Sequence, residues 1–145
     1  MQTSNGMKLY YTAKGLIGQV LNADNAADDY GMYGCAESVN KCFSRAFGGP
    51  IGGGASTSAM LQVLESDPRF QEVQEGNQLP GDICMDATGT STFGPQAHGH
   101  VGICGYTWYM SNDSETATWE ANYTAAMWKS SFAARGFTTR YFRVL

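Results

Sequence analysis

The sequence predicts an α+β domain, with N-terminal helices packed on one face of an antiparallel sheet of five to six strands. Apolar residues recur at helical spacing through the first 66 positions, and alternation punctuated by turn residues replaces that spacing from position 70 onward. The chain has 145 residues, 43% of them hydrophobic and 15% charged, which is enough for one domain with its own core and excludes a disordered chain.

Each element has its own signal. Leu9, Ala13, Leu16, Ile17, Val20 and Leu21 share one helical face and predict a helix over 7–22, weakened by Gly15 and Gly18. The polar stretch from Asn22 to Gly31 reads as a loop. A second helix begins near Cys35, because Val39, Cys42, Phe43 and Ala46 follow it on the same stripe, and Gly48-Gly49-Pro50 stops it. A third runs from Ser56 to Ser66, with Ala59, Met60, Val63 and Leu64 inward and Asp67-Pro68 at its end. Strands are predicted over 70–74, 82–86, 100–106, 107–110, 116–123 and 137–144. Gly89–Gly99 is a long polar loop of the kind that often carries function.

Composition excludes several classes. The formal charge of −4 and the scattered Lys and Arg residues offer no basic stripe for nucleic acid. No apolar run approaches the roughly 20 residues of a membrane span. The opening residues, Met1 to Gly6, have neither the basic nor the apolar region of a secretory signal, so the expectation is synthesis in the cytoplasm without one. Cys35, Cys42, Cys84 and Cys104 contain no CxxC and form no metal pattern. Cys42 reads as core, and a Cys84–Cys104 bridge is conceivable but nothing in the sequence supports it. The glycine run Gly48–Gly54 lacks the Lys-Ser/Thr of a phosphate loop and is expected to form a flexible groove rim instead.

The chemistry-bearing pattern is a cysteine at a helix start and a histidine at a strand start. Open N–H groups and the helix dipole favour a thiolate at Cys35, and a nearby imidazole is expected to lower the thiol pKa further. The chain has only two histidines, and His100 is preferred over His98 as the base because of its Gly99-His100-Val101-Gly102-Ile103 setting. Such a base needs an orienting partner. Glu120 and Asn122 lie on one face of a strand, and either can accept the hydrogen bond. The Cys35 backbone N–H is a candidate oxyanion donor. Taken alone, Cys35 would be a core cysteine and Glu120 a surface charge; their placement argues otherwise.

Gly34-Cys35-Ala36, Leu79-Pro80-Gly81-Asp82-Ile83, Gly99-His100-Val101-Gly102-Ile103 and Glu120-x-Asn122, in that order, resemble the CHAP family of cysteine, histidine-dependent amidohydrolases/peptidases and the related NlpC-type cell-wall peptidases. The likeness runs over about residues 7–145, and so implies one papain-like catalytic domain over 1–145. It implies Cys35 as nucleophile, His100 as general base and Glu120 with Asn122 as the orienting pair. The implied activity is peptidoglycan hydrolysis at an amide bond, by an N-acetylmuramoyl-L-alanine amidase or a peptide endopeptidase. A monomeric phage endolysin would look like this, and so would an injected effector with an immunity protein as partner. Either would act on the cell wall after release or injection. No cofactor is implied except calcium, which several relatives bind ahead of the cysteine; Asp24, Asn25, Asp28 and Asp29 stand there without EF-hand spacing. The alternative is a non-catalytic module on the same scaffold, such as a phage tail component. A protease of proteins is disfavoured because its local signatures are absent.

Overall fold

The structure is a computed structural model and describes residues 1–22 and 34–145. The acidic stretch from Asp24 to Asp29 lies outside the described residues. Three helices come first: α1 (Ser4–Gly15), α2 (Cys35–Phe47) and α3 (Thr57–Ser66). Then follow β1 (Phe70–Val73), β2 (Ile83–Asp86), β3 (His100–Ile103), β4 (Trp108–Asn112), β5 (Trp119–Thr124), α4 (Ala125–Ala133) and β6 (Arg140–Val144). All six strands form one antiparallel sheet in the order β1-β6-β2-β3-β4-β5. The α+β class and the helices-first order are as the sequence predicts.

Two differences have physical causes. α1 starts earlier than expected, capped by the Thr3 side chain on the Gly6 N–H, and stops at Gly15 rather than continuing to 22. Gly18 takes φ +91, and its N–H donates to the Trp119 carbonyl while Gln19 accepts from the Trp119 N–H. Pairing with β5 therefore overrides the apolar spacing that suggested more helix. The second difference is α4, an element without a predicted counterpart. It packs on the sheet face opposite the N-terminal helices, so both faces are covered rather than one.

The two layers divide the core by strand pleat. Val101 and Ile103 of β3 join Leu9, Ala13, Val39, Phe43, Met60 and Leu64 under α1–α3. Trp128 and Phe132, one helical turn apart on α4, pack with Cys84, Cys104, Tyr109 and Tyr141 on the other face. Gly102 permits that second layer: a Cβ there would lie 2.4 Å from the Met110 carbonyl oxygen and 3.1 Å from the Trp128 ring. All four cysteines are free thiols, so no bridge joins Cys84 to Cys104. Instead the two thiols hydrogen-bond, and burial raises that of Cys84 well above its ordinary value.

The Leu79–Ile83 segment is anchored by a buried ion pair. Arg143 on β6 donates from Nε and Nη2 to the two carboxylate oxygens of Asp82, at 3.0 and 2.8 Å. Asp82 also accepts the Leu79 N–H at 2.7 Å, and Arg143 donates to the Asn77 carbonyl at 2.9 Å. The paired side chains are only 8% and 2% exposed, so truncating one strands the other charge away from water. Arg143→Ala is expected to lower the unfolding free energy by about 3–5 kcal/mol in urea titrations. A loss below about 1 kcal/mol would contradict this account of the anchor.

Candidate active site

α2 differs from the other helices at its start. Thr3, Ser56 and Thr124 cap α1, α3 and α4 through side-chain oxygens, whereas Gly34 precedes α2 and has none to offer. A Cβ at Gly34 would lie 2.4 Å from the Cβ of Asn22, so a larger capping residue does not fit. The first N–H groups of α2 stay uncapped by a side chain, and those of Cys35 and Ala36 hydrogen-bond the Cys35 sulphur.

A third donor comes from the sheet. β3 and β4 pair at Ile103 and Met110 and diverge toward His100 and Asn112. In that divergence the Val101 N–H hydrogen-bonds the Cys35 thiol. Cys35, from the α1–α3 layer, thus reaches the edge of the strand that carries His100. The His100 ring projects to the other face, where it stacks with Trp128 (centroids 5.2 Å apart, 28°) and Phe132 (5.6 Å, 16°). Tyr123 closes a third side at 6.1 Å.

One cavity of about 570 Å³ at this end of the sheet joins the two layers. Its lining includes Cys35, His98, His100 and Asn122, so three of the four predicted site residues meet there. Glu120 is not among the lining residues, and its carboxylate accepts from Thr118 at 2.7 Å. The Asn122 side-chain oxygen accepts from Ser111 at 2.8 Å. Among the described residues neither side chain bonds an imidazole nitrogen of His100; the ring is held by aromatic stacking. The glycine run 48–54 is also absent from the lining. Asn40 ties it down by bonds to Gly52 and Gly54.

The electrostatics correct one expectation. Burial pushes the Cys35 thiol up to about 11, and the three backbone N–H bonds only partly oppose this. The sequence argued for a depressed thiol, but the loss of water outweighs helix-terminal donors here. Burial also lowers His100 to about 4, with Arg135 lowering it further and Asp113 opposing. At neutral pH the free protein therefore holds a neutral thiol and a neutral imidazole in the lining of one cavity.

Several groups at the site were not singled out from sequence. Asp86 faces His100 across the β2–β3 pair and is buried. Its carboxylate accepts from Trp128 Nε1 at 2.7 Å and from Thr139 at 2.8 Å, which fixes the ring that stacks on His100. Burial raises Asp86 to about 6 against those two bonds. Arg135 and Asp113 line the cavity and act on His100 by charge. A signal existed for the aromatic wall, since Thr124 before an i, i+4 Trp–Phe pair reads as a capped amphipathic helix.

Among the described residues no group of three or more His, Cys, Asp or Glu is placed to hold a metal ion. No helix among them is long and apolar enough to cross a membrane. The chain matches no model of a protein family and no curated protein sequence.

Two titrations follow from this geometry. By NMR, His100 is expected to protonate near pH 4, and a midpoint near 6.5 would contradict its half-buried, stacked environment. Stability responds in opposite directions. As pH falls from 6.5 to 4 the unfolded chain protonates its histidine before the native state does, which destabilises the fold. Asp86 does the reverse: its native carboxyl takes up a proton near 6, before the unfolded chain does near 3.8, which stabilises the fold on acidification. Asp86→Asn removes only the second contribution. Its unfolding free energy should fall more steeply than wild type between pH 6 and 4, by about 1–3 kcal/mol; equal slopes would refute the assignment.

Proposed function

We propose that the protein is a papain-like cysteine hydrolase that cleaves an amide bond of bacterial peptidoglycan, with Cys35 as nucleophile and His100 as base. The observation that carries the catalytic half is the convergence on one cavity of an uncapped helix-terminal thiol, an imidazole and three backbone N–H donors at the sulphur. The cell-wall substrate rests on the CHAP and NlpC-type resemblance of the four motifs.

The neutral resting pair sets the chemistry. His100 takes the thiol proton as Cys35 Sγ attacks the carbonyl carbon, so charge develops only in the transition state. The N–H groups of Cys35 and Ala36 lie where a developing oxyanion can be received once the sulphur has become bonded to carbon. The imidazolium then protonates the leaving amine and the C–N bond breaks, leaving an acyl-thioester. Water, deprotonated by His100, attacks the thioester and returns the free thiol. Burial and the Arg135 charge disfavour a charged ring in the resting state, which keeps His100 unprotonated well below neutral pH.

The second reading, a non-catalytic module on the same scaffold, is favoured by the burial of Cys35, which is 7% exposed, by its raised thiol pKa and by the engagement of Glu120 and Asn122 with Thr118 and Ser111 instead of His100. The test separates the two. Cys35→Ala is expected to lower clearing of purified sacculi at least a thousandfold, and mass spectrometry of the released fragments identifies the bond cut. Undiminished clearing would overturn the nucleophile, and no clearing by wild type would favour the module. Iodoacetamide should label Cys35 ahead of Cys42, Cys84 and Cys104, which do not line the cavity. Its rate should climb with pH toward about 11 instead of levelling near neutrality.

A further inference from the structure

Asn22 is a buried polar side chain that the proposed chemistry does not use. It follows Gly18 and Gln19, whose backbones pair with Trp119 at the start of β5. Its Nδ2 donates to Asn112 Oδ1 and to the Ala117 carbonyl, both at 2.8 Å. Asn112 ends β4 and lines the cavity, as do Asp113, Ser114 and Glu115 in the turn that follows. The same side chain packs at its Cβ against Gly34, where an added Cβ would lie only 2.4 Å away. Gly34 precedes Cys35, and its carbonyl accepts from the Ser38 N–H at 2.9 Å and from Ser38 Oγ at 2.7 Å. One side chain therefore touches both the start of the helix that carries Cys35 and the turn that forms another part of the cavity wall.

The turn between β4 and β5 needs such a hold. Among the described residues Ala117 is the one non-glycine residue in the left-handed region, at φ +59, which side-chain-bearing residues rarely adopt. Its N–H donates to the Asp113 carbonyl at 2.7 Å, and the Asp113 N–H donates to the Thr118 carbonyl at 2.8 Å, so the turn closes on itself. Those bonds set the shape of the turn but not its distance from α2, which the Asn22 amide fixes. Removing a buried amide that donates to two oxygens costs each of them a partner, so this position is closely specified. The turn also carries Asp113, whose charge acts on His100, so its placement bears on the imidazole as well as the thiol.

We propose that Asn22 is a positioning residue of the site, setting the distance between Cys35 and the wall that runs from Asn112 to Glu115. Asn22 does not line that cavity and acts only through the two elements it joins. It holds them at the spacing at which a bound amide reaches the sulphur, where a misplacement of about 1 Å costs on the order of a hundredfold in rate. This rests on the cavity being the hydrolytic site of the preceding section.

Two variants and a control test this. Asn22→Leu keeps the volume and removes the donor; Asn22→Asp keeps the shape and sets a carboxylate against the Ala117 carbonyl. Thr3→Ala removes the cap of α1, outside the cavity, and reports what a loss of stability does by itself. Sacculus clearing is measured well below the Tm of each variant. The Asn22 variants are expected to lose roughly tenfold or more in kcat/KM, whereas Thr3→Ala lowers Tm and clears at the wild-type rate. Alkylation of Cys35 by iodoacetamide needs no turnover and should quicken several-fold in the Asn22 variants alone, as the packing at Gly34 loosens. Should Asn22→Leu fail to fold, Asn22→Asp decides. Wild-type clearing by a folded Asn22 variant, or unchanged alkylation of its Cys35, would overturn the role. Clearing that depends on Cys35 but ignores Asn22 removes only this inference; clearing that wild type lacks, or that is indifferent to Cys35, removes the hydrolase reading and this role with it.

Discussion

The Val101 backbone N–H hydrogen-bonds a sulphur atom rather than a neighbouring strand, and the geometry of the site depends on that diversion. An antiparallel sheet normally separates what lies on its two faces. Here Cys35 belongs to the helix layer on one face and His100 projects toward α4 on the other. β3 and β4 pair at Ile103 and Met110 and not beyond, at the end of the sheet where both groups line one cavity. Closing that gap by further β3–β4 pairing would consume the N–H and return the thiol to the core, as a structural cysteine of the same kind as Cys42.

Several features maintain the opening. The Asp82–Arg143 pair fixes the approach to β2, so β3 has a rigid neighbour on its other side. Asp86, at the far end of β2, holds Trp128 and Thr139 and thereby sets the wall against which the imidazole stacks. Burying a carboxyl there raises its pKa, a penalty moderated by two good donors. Desolvation is the largest cause of all three shifts, lifting Asp86 and Cys35 and lowering His100, to which the Arg135 charge adds. Under the proposed hydrolysis, a neutral thiol and a neutral imidazole would require general-base chemistry, with the proton moving as the bond forms.

How much of this was legible in the sequence follows from how local each signal is. The starts of α2 and α3, the stop at Gly48 and the order of strands rest on spacing and turn residues within a few positions, and they emerged as read. Cys35 and His100 stand at the starts of α2 and β3, as their local spacing and glycine neighbours suggested. The end of α1 did not, because Gly18 and Gln19 pair with Trp119 about a hundred residues away. α4 was overlooked although its capping threonine and Trp–Phe spacing were local. The stacking of His100, the charge of Arg135 near it and the raised thiol pKa depend on which groups share a cavity and on how little water reaches them. No spacing rule along the chain encodes those.

The central claim is that Cys35 Sγ forms a covalent bond with substrate and that His100 enables it. Acid-quenching the protein during turnover of sacculi, followed by peptide mass spectrometry, tests this most directly. The account predicts an acyl adduct on the peptide containing Cys35, absent when His100 is replaced by alanine. Hydrolysis that proceeds with no adduct on Cys35, or with the adduct on another residue, would contradict it.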